Sequence, residues 1–203
     1  AKIRHASSRV LAATPYARSM NETLSTLAED KSLNANPMLA RHDEVKRIAV
    51  VAVVSDRGLA GGFNSNVLRA VDRLVSQKKT EGIECDLIAC GKKAIAYFKY
   101  RNYPMVLQYA GLSADPTIDQ AREIASMVSE MYTTGKADQV FIYYNHARNS
   151  ADQDLAFEEV LPVAAAEVDV ALQESKESTD RVTDKLMGEF EFEPSAAEVL
   201  DAL

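Results

Sequence analysis

The stretch SDRGLAGGFNSN, residues 55–66, follows the apolar run IAVVAVV and carries Gly58, Gly61 and Gly62 within five positions. Between a strand and a helix, such glycines can cradle a phosphate, because free backbone N–H groups and a helix N-terminus converge there. The spacing is not G-x-G-x-x-G, however, and no Gly-Lys-Ser/Thr follows to make a P-loop. Asp56 would repel an anion at the mouth of the turn, and Cys90-Gly91-Lys92, at the end of the next strand, lacks the acid that would hold a ribose. The glycines are expected instead to satisfy a tight turn that needs positive φ, with Asn64 or Ser65 capping the next helix.

Other reactive residues form no convincing set. His146 with Ser150, Asp152 and Asp154 is a candidate cluster, but a loop pairing of this kind lacks the strained elbow and oxyanion donors of nucleophilic sites. His5 and His42 lie far from it in the sequence, so no metal set is expected. Cys85 and Cys90 sit five apart in the strand-like CDLIAC, which points them to opposite faces and forbids a bridge. Lys2, Arg4 and Arg9 could meet nucleic acid, yet the chain is acidic overall and no aromatics are interleaved with these bases. No catalytic residue, cofactor or metal is expected.

The elements that must position these residues follow from periodicity. At 203 residues, with 47% hydrophobic and 26% charged residues, the composition is that of a globular protein. No apolar stretch reaches the length of a bilayer span, and the opening AKIRHASSRV has no signal-peptide core, so a cytosolic address is the expectation. Ala1 enters a helical pattern with no capping residue before it, which reads as an internal start. The formal net charge of −7 is unevenly placed, with a basic opening and an acidic end.

Residues 1–30 read as a helix with a heptad seam of Ile3, Ala6, Val10, Ala13, Ala17, Met20, Leu24 and Leu27, kinked at Pro15. The seam either covers the following domain or meets a partner helix outside this chain. Residues 31–46 read as a linker and 47–193 as a central α/β domain, while 194–203 begin a further helical segment. Within the domain, strands at RIAVVAVV, DLIAC, PMVLQY and QVFIYYNH alternate with helices, and AFEEVLPV reads as an edge strand. Strands alternating with helices call for a doubly wound, mainly parallel, Rossmann-like sheet. In EFEFEP, Phe190 and Phe192 share one face of an alternating strand.

The turn SDRGLAGGFNSNV after a hydrophobic strand resembles the central turn of the gamma subunit family of rotary ATP synthases. AKIRHASSRVLAATPYARSM is similar to the later part of that family's N-terminal helix, ECDLIACGKKA to its second strand, VLPV to its late strand, and FEFEPSAAEVLDAL to the segment before its C-terminal helix. The resemblance implies a chain truncated at both ends and a projecting coiled-coil helix on an α/β domain. It further implies a non-catalytic rotor that couples proton flow to ATP synthesis at the cytoplasmic face of the cell membrane, as a peripheral part of the complex. Its partners would be the catalytic alpha/beta hexamer, the epsilon subunit and the membrane c-ring. By the same likeness Asp56, Arg57, Gly58, Leu59 and Ala60 would face the catalytic subunits, with Ala60 standing where cysteine is common. Phe190, Phe192 and Glu193 would face the membrane ring. The reading it displaces is a small nucleotide- or flavin-binding enzyme that uses the Gly58–Gly62 turn.

Overall fold

The computed structural model describes residues 40–58, 62–112, 116–147 and 153–163, together with residues 8, 12, 15, 37 and 38. The heptad seam from Ile3 to Leu27, as well as Phe190, Phe192 and Glu193, lie outside the described residues.

The fold is organised by β1 (Arg47–Val53), whose sequence RIAVVAV has no polar alternation because both faces are buried. Ile48, Val50 and Ala52 look to one side of the sheet and Ala49 and Val51 to the other. On the first side, α1 (Gly62–Thr80) supplies Val67, Leu68, Val71 and Val75 at helical spacing. It is joined by α2 (Lys92–Tyr100), which contributes Ala94 and Phe98. On the second side, α3 (Ile118–Thr133) covers the sheet with Val128, Met131 and Tyr132. A capping box starts α3: Thr117 Oγ accepts from Gln120 N while the Gln120 side chain accepts from Thr117 N.

The remaining strands are β2 (Glu84–Cys90), β3 (Met105–Tyr109), β4 (Gln139–Ala147) and β5 (Gln153–Leu161), and the sheet order is β3-β2-β1-β4-β5. The first four strands run parallel, as alternating strands and helices require, and β5 pairs antiparallel with β4 at the edge. Cys85 and Cys90 do take opposite faces of β2, one packing with each hydrophobic core, and both are free thiols. No described helix is long and apolar enough to cross a membrane.

The second half of the stretch expected as a linker is docked. Met38 packs into the core beside α3, and its carbonyl accepts from Val163 N at 3.1 Å. Tyr132 donates its hydroxyl to the Ala40 carbonyl, and His42 stacks on the Tyr132 ring with centroids 4.7 Å apart. Asp138 closes this clamp. Its Oδ1 meets His42 Nδ1 at 2.7 Å, and its Oδ2 accepts from Lys46 N and Arg47 N at 2.8 and 2.9 Å. Burial alone would raise the Asp138 carboxyl pKa, but the hydrogen bonds from His42, Lys46 and Arg47 outweigh it and hold the pKa below the usual carboxylate value of 3.8. A lowered folded pKa means that the ionised form stabilises the fold above that value, and the contribution is lost as pH falls through it. Asp138→Asn should therefore lower stability by about 1–3 kcal/mol at neutral pH. In urea titrations its deficit against the native chain should shrink below about pH 4.

Candidate functional site

The turn after β1 lies at the carboxyl edge of the parallel sheet, where open α/β folds place their ligands. The strand order reverses between β1 and β4, because the chain runs outward through β2 and β3 before returning to the other side of β1. In a ligand-binding fold that switch point is an open crevice. Here side chains of the protein hydrogen-bond beside it. Asn64, in the first turn of α1, accepts through Oδ1 from Ser55 N at 2.9 Å and donates through Nδ2 to the Arg57 carbonyl at 3.0 Å. Ser55 Oγ also donates to the Arg57 carbonyl, at 2.6 Å. Asn145, on β4, donates its side-chain amide to the Phe63 carbonyl.

Two expectations about this turn need correction. Asn64 and Ser65 do not cap α1, because the helix already begins at Gly62; Asn64 instead staples the turn to the end of β1. Nor do Gly58 and Gly62 adopt positive φ, a property confined among the described glycines to Gly82, Gly91, Gly111 and Gly135, while Gly61 lies outside the described residues. The demand falls on Gly91, at the start of α2, with φ of 100°. A Cβ there would lie 2.2 Å from the Val54 carbonyl oxygen, so the backbones of two βα turns touch at a point only glycine can occupy.

Asp56 extends the turn the other way, across β2 and β3. Its Oδ1 accepts from Lys92 N at the N-terminus of α2 and from Gly111 N after β3, both at 2.9 Å. Gly91, the N-cap residue of α2, has no side chain to accept from the helix, so Asp56 supplies the oxygen from 36 residues away. The sequence carried half of this signal, an uncapped helix start at Gly91-Lys92-Lys93, but nothing along the chain says that Asp56 reaches it.

What faces outward is cationic. Arg57 and Gly58 are exposed, as are Lys92 and Lys93, and a Cβ on Gly58 would lie 3.4 Å from the end of the Lys93 side chain. Leu59 and Ala60 lie outside the described residues. Cys90, beneath the turn, is no nucleophile: burial pushes its thiol pKa up to about 11. His146 and Asp154, expected as loop neighbours, are cross-strand partners on β4 and β5; Ser150 and Asp152 lie outside the described residues. Among the described residues no group of three His, Cys, Asp or Glu side chains could hold a metal. The described part of the turn is hydrogen-bonded to its neighbours and presents a positively charged surface.

The family described as ATP synthase matches residues 1–203. The ATP synthase gamma chain of Chlorobaculum tepidum is 32% identical over 208 residues, covering 100% of this chain and 66% of that protein. The chain belongs to the ATP synthase gamma family. A second gamma chain, from Rubrobacter xylanophilus, is 37% identical over 163 residues, covering 80% of this chain and 55% of the relative. The chain thus spans just under two thirds of the first of these gamma-family relatives. The structure of the central stalk and c-ring of Tetrahymena thermophila mitochondrial ATP synthase aligns with a TM-score of 0.51 at 21% identity. It covers 74% of this chain and 70% of the other, a likeness of fold.

Gly91→Ala should force the β1 and β2 turns apart and cost about 3 kcal/mol or more. Asn64→Ala, which removes a staple and leaves the backbone unstrained, should cost about 1 kcal/mol. Thermal denaturation of the two variants checks the order; equal losses would refute the contact between the turns.

Proposed function

We propose that this chain acts as the non-catalytic central rotor element of an ATP synthase, coupling proton flow through a membrane ring to ATP synthesis in a catalytic hexamer. The observation that carries the reading is the turn after β1. Beside the place where this fold would hold a nucleotide phosphate, Asp56 and Asn64 hydrogen-bond the turns together, which stiffens an edge on which Arg57, Lys92 and Lys93 are exposed. A part that transmits torque needs such stiffness and an asymmetric surface, whereas the chemistry of synthesis belongs to its partners.

In this reading Arg57 and Gly58, with Leu59 and Ala60 beside them in the sequence, face acidic segments of the alpha/beta hexamer. Asp56 holds that contact in shape from behind. Phe190, Phe192 and Glu193 face the c-ring, an epsilon subunit completes the stalk, and the chain associates peripherally with the cytoplasmic face of the cell membrane. The family membership supports the assembly as a whole.

The test is reconstitution of a full-length subunit carrying this sequence with the catalytic hexamer and the membrane ring. Arg57→Glu should weaken binding to the hexamer about fivefold at low salt, with the difference fading at high salt, as expected of a charge at the rim of an interface. Glu193→Lys should lower proton-coupled synthesis while sparing hydrolysis by the detached head. Titration with ATP, NAD and FMN tests the enzyme alternative: micromolar affinity lost on mutation of the turn would overturn the rotor reading.

A further inference from the structure

We propose that Asp56 is a positioning residue that serves as an internal anion: its carboxylate takes the place a bound phosphate has in ligand-binding relatives of this architecture and locks three βα turns into one rigid surface. The three turns are those following β1, β2 and β3. Asp56 belongs to the first, Lys92 N opens the helix after the second, and Gly111 N belongs to the third. Both N–H groups converge on a single oxygen, Oδ1, at 2.9 Å. Other contacts tie the same turns together without charge: Lys93 N donates to the Ser55 carbonyl at 3.3 Å, Val54 N to the Cys90 carbonyl at 3.0 Å, and Gly91 N to the Tyr109 carbonyl at 2.7 Å. These are bonds between backbones. Asp56 is the side chain that joins the first turn to both of the others.

Chemistry makes the carboxylate the right group. The N-terminus of α2 has a glycine cap and no acidic residue in its first turn, while Lys92 and Lys93 add positive charge beside it. A negative charge at that point is favoured by the helix dipole and by both ammonium groups, and a charge-assisted bond is roughly twice as strong as a neutral one. Arg57 follows Asp56 directly, and its carbonyl is held by Ser55 and Asn64. Anchoring Asp56 therefore helps hold the Arg57 backbone, from which its exposed side chain projects. The value of that hold for torque transmission rests on the rotor reading; the lock does not.

The lock predicts a chemical rescue. Arg57 is exposed, so trypsin cutting between Arg57 and Gly58 reports how often the turn opens. In the full chain, Asp56→Gly should be cut there about ten times faster than the native protein, a loss in the range of a charge-assisted hydrogen bond. Sodium formate, a free carboxylate of the deleted size, should slow that cleavage more than sodium chloride at equal ionic strength, and should leave the native rate unchanged. Asp56→Asn keeps an acceptor oxygen and removes the charge, so its rate should fall between the two. Formate acting no better than chloride would overturn the proposal, as would native-like cleavage of Asp56→Gly. Should the glycine variant lose its circular dichroism spectrum, Asp56→Asn decides alone: an unaltered rate means the charge has no part in holding the turn. The cleavage assay uses the isolated chain, so its failure is distinguishable from a failure to assemble with the hexamer.

Discussion

The burial of β1 on both faces is the constraint from which the rest of the structure follows. Ile48, Ala49, Val50 and Ala52 are fully inaccessible, and a strand in that position needs apolar cover above and below. α1 and α2 give it one cover and α3 the other. Once β1 is central, its carboxyl end must emerge in the middle of an edge toward which β2, β3 and β4 also point. The loops at that edge are forced into each other's company. In most proteins of this architecture the shared space admits a ligand; here Asp56, Asn64 and Asn145 tie the loops around it together.

The helices give the molecule a second asymmetry, across the sheet. α1 bears Arg69, Arg73, Lys78 and Lys79 against Asp72, and α2 bears Lys92, Lys93 and Lys99 with no acid. The acids lie elsewhere: Asp119, Glu123 and Glu130 on α3 outnumber Arg122, and β5 adds Asp154, Glu158 and Glu159. A chain acidic in total thus has a basic layer, and the long-range field of that layer is what an approaching acidic surface would meet first. Asp72 is the exception on the basic side, and its charge is directed inward, where it accepts from Tyr103 Oη at 2.8 Å and pairs with Arg101 at 2.8 Å.

What could be read from the sequence was what depends on neighbours along the chain. RIAVVAV announced a buried strand because every residue is apolar after the first, though not that it is the central one, and Val67, Val71 and Val75 announced the buried stripe of α1 because they recur every four positions. That AFEEVLPV forms an edge strand was legible from its mixed character, but its antiparallel pairing with β4 was not. The latches were not legible, since each joins residues that only the fold makes neighbours. Asp138 reaches His42 across 96 positions, and Asp56 reaches Gly111 across 55. Periodicity carries no information about such pairs. Asn64 was misread for a related reason: cap and staple use the same side-chain oxygen, and only the true start of α1 at Gly62 distinguishes them.

The hydrogen bond from Val163 N to the Met38 carbonyl has a mechanical meaning. Met38 precedes β1 and Val163 follows β5, so this bond ties the chain just before the first described strand to the chain just after the last one. Tension applied between residues 38 and 163 would load that bond, along with the nearby fastening of Tyr132 to Ala40 and His42, before any strand was pulled from the sheet.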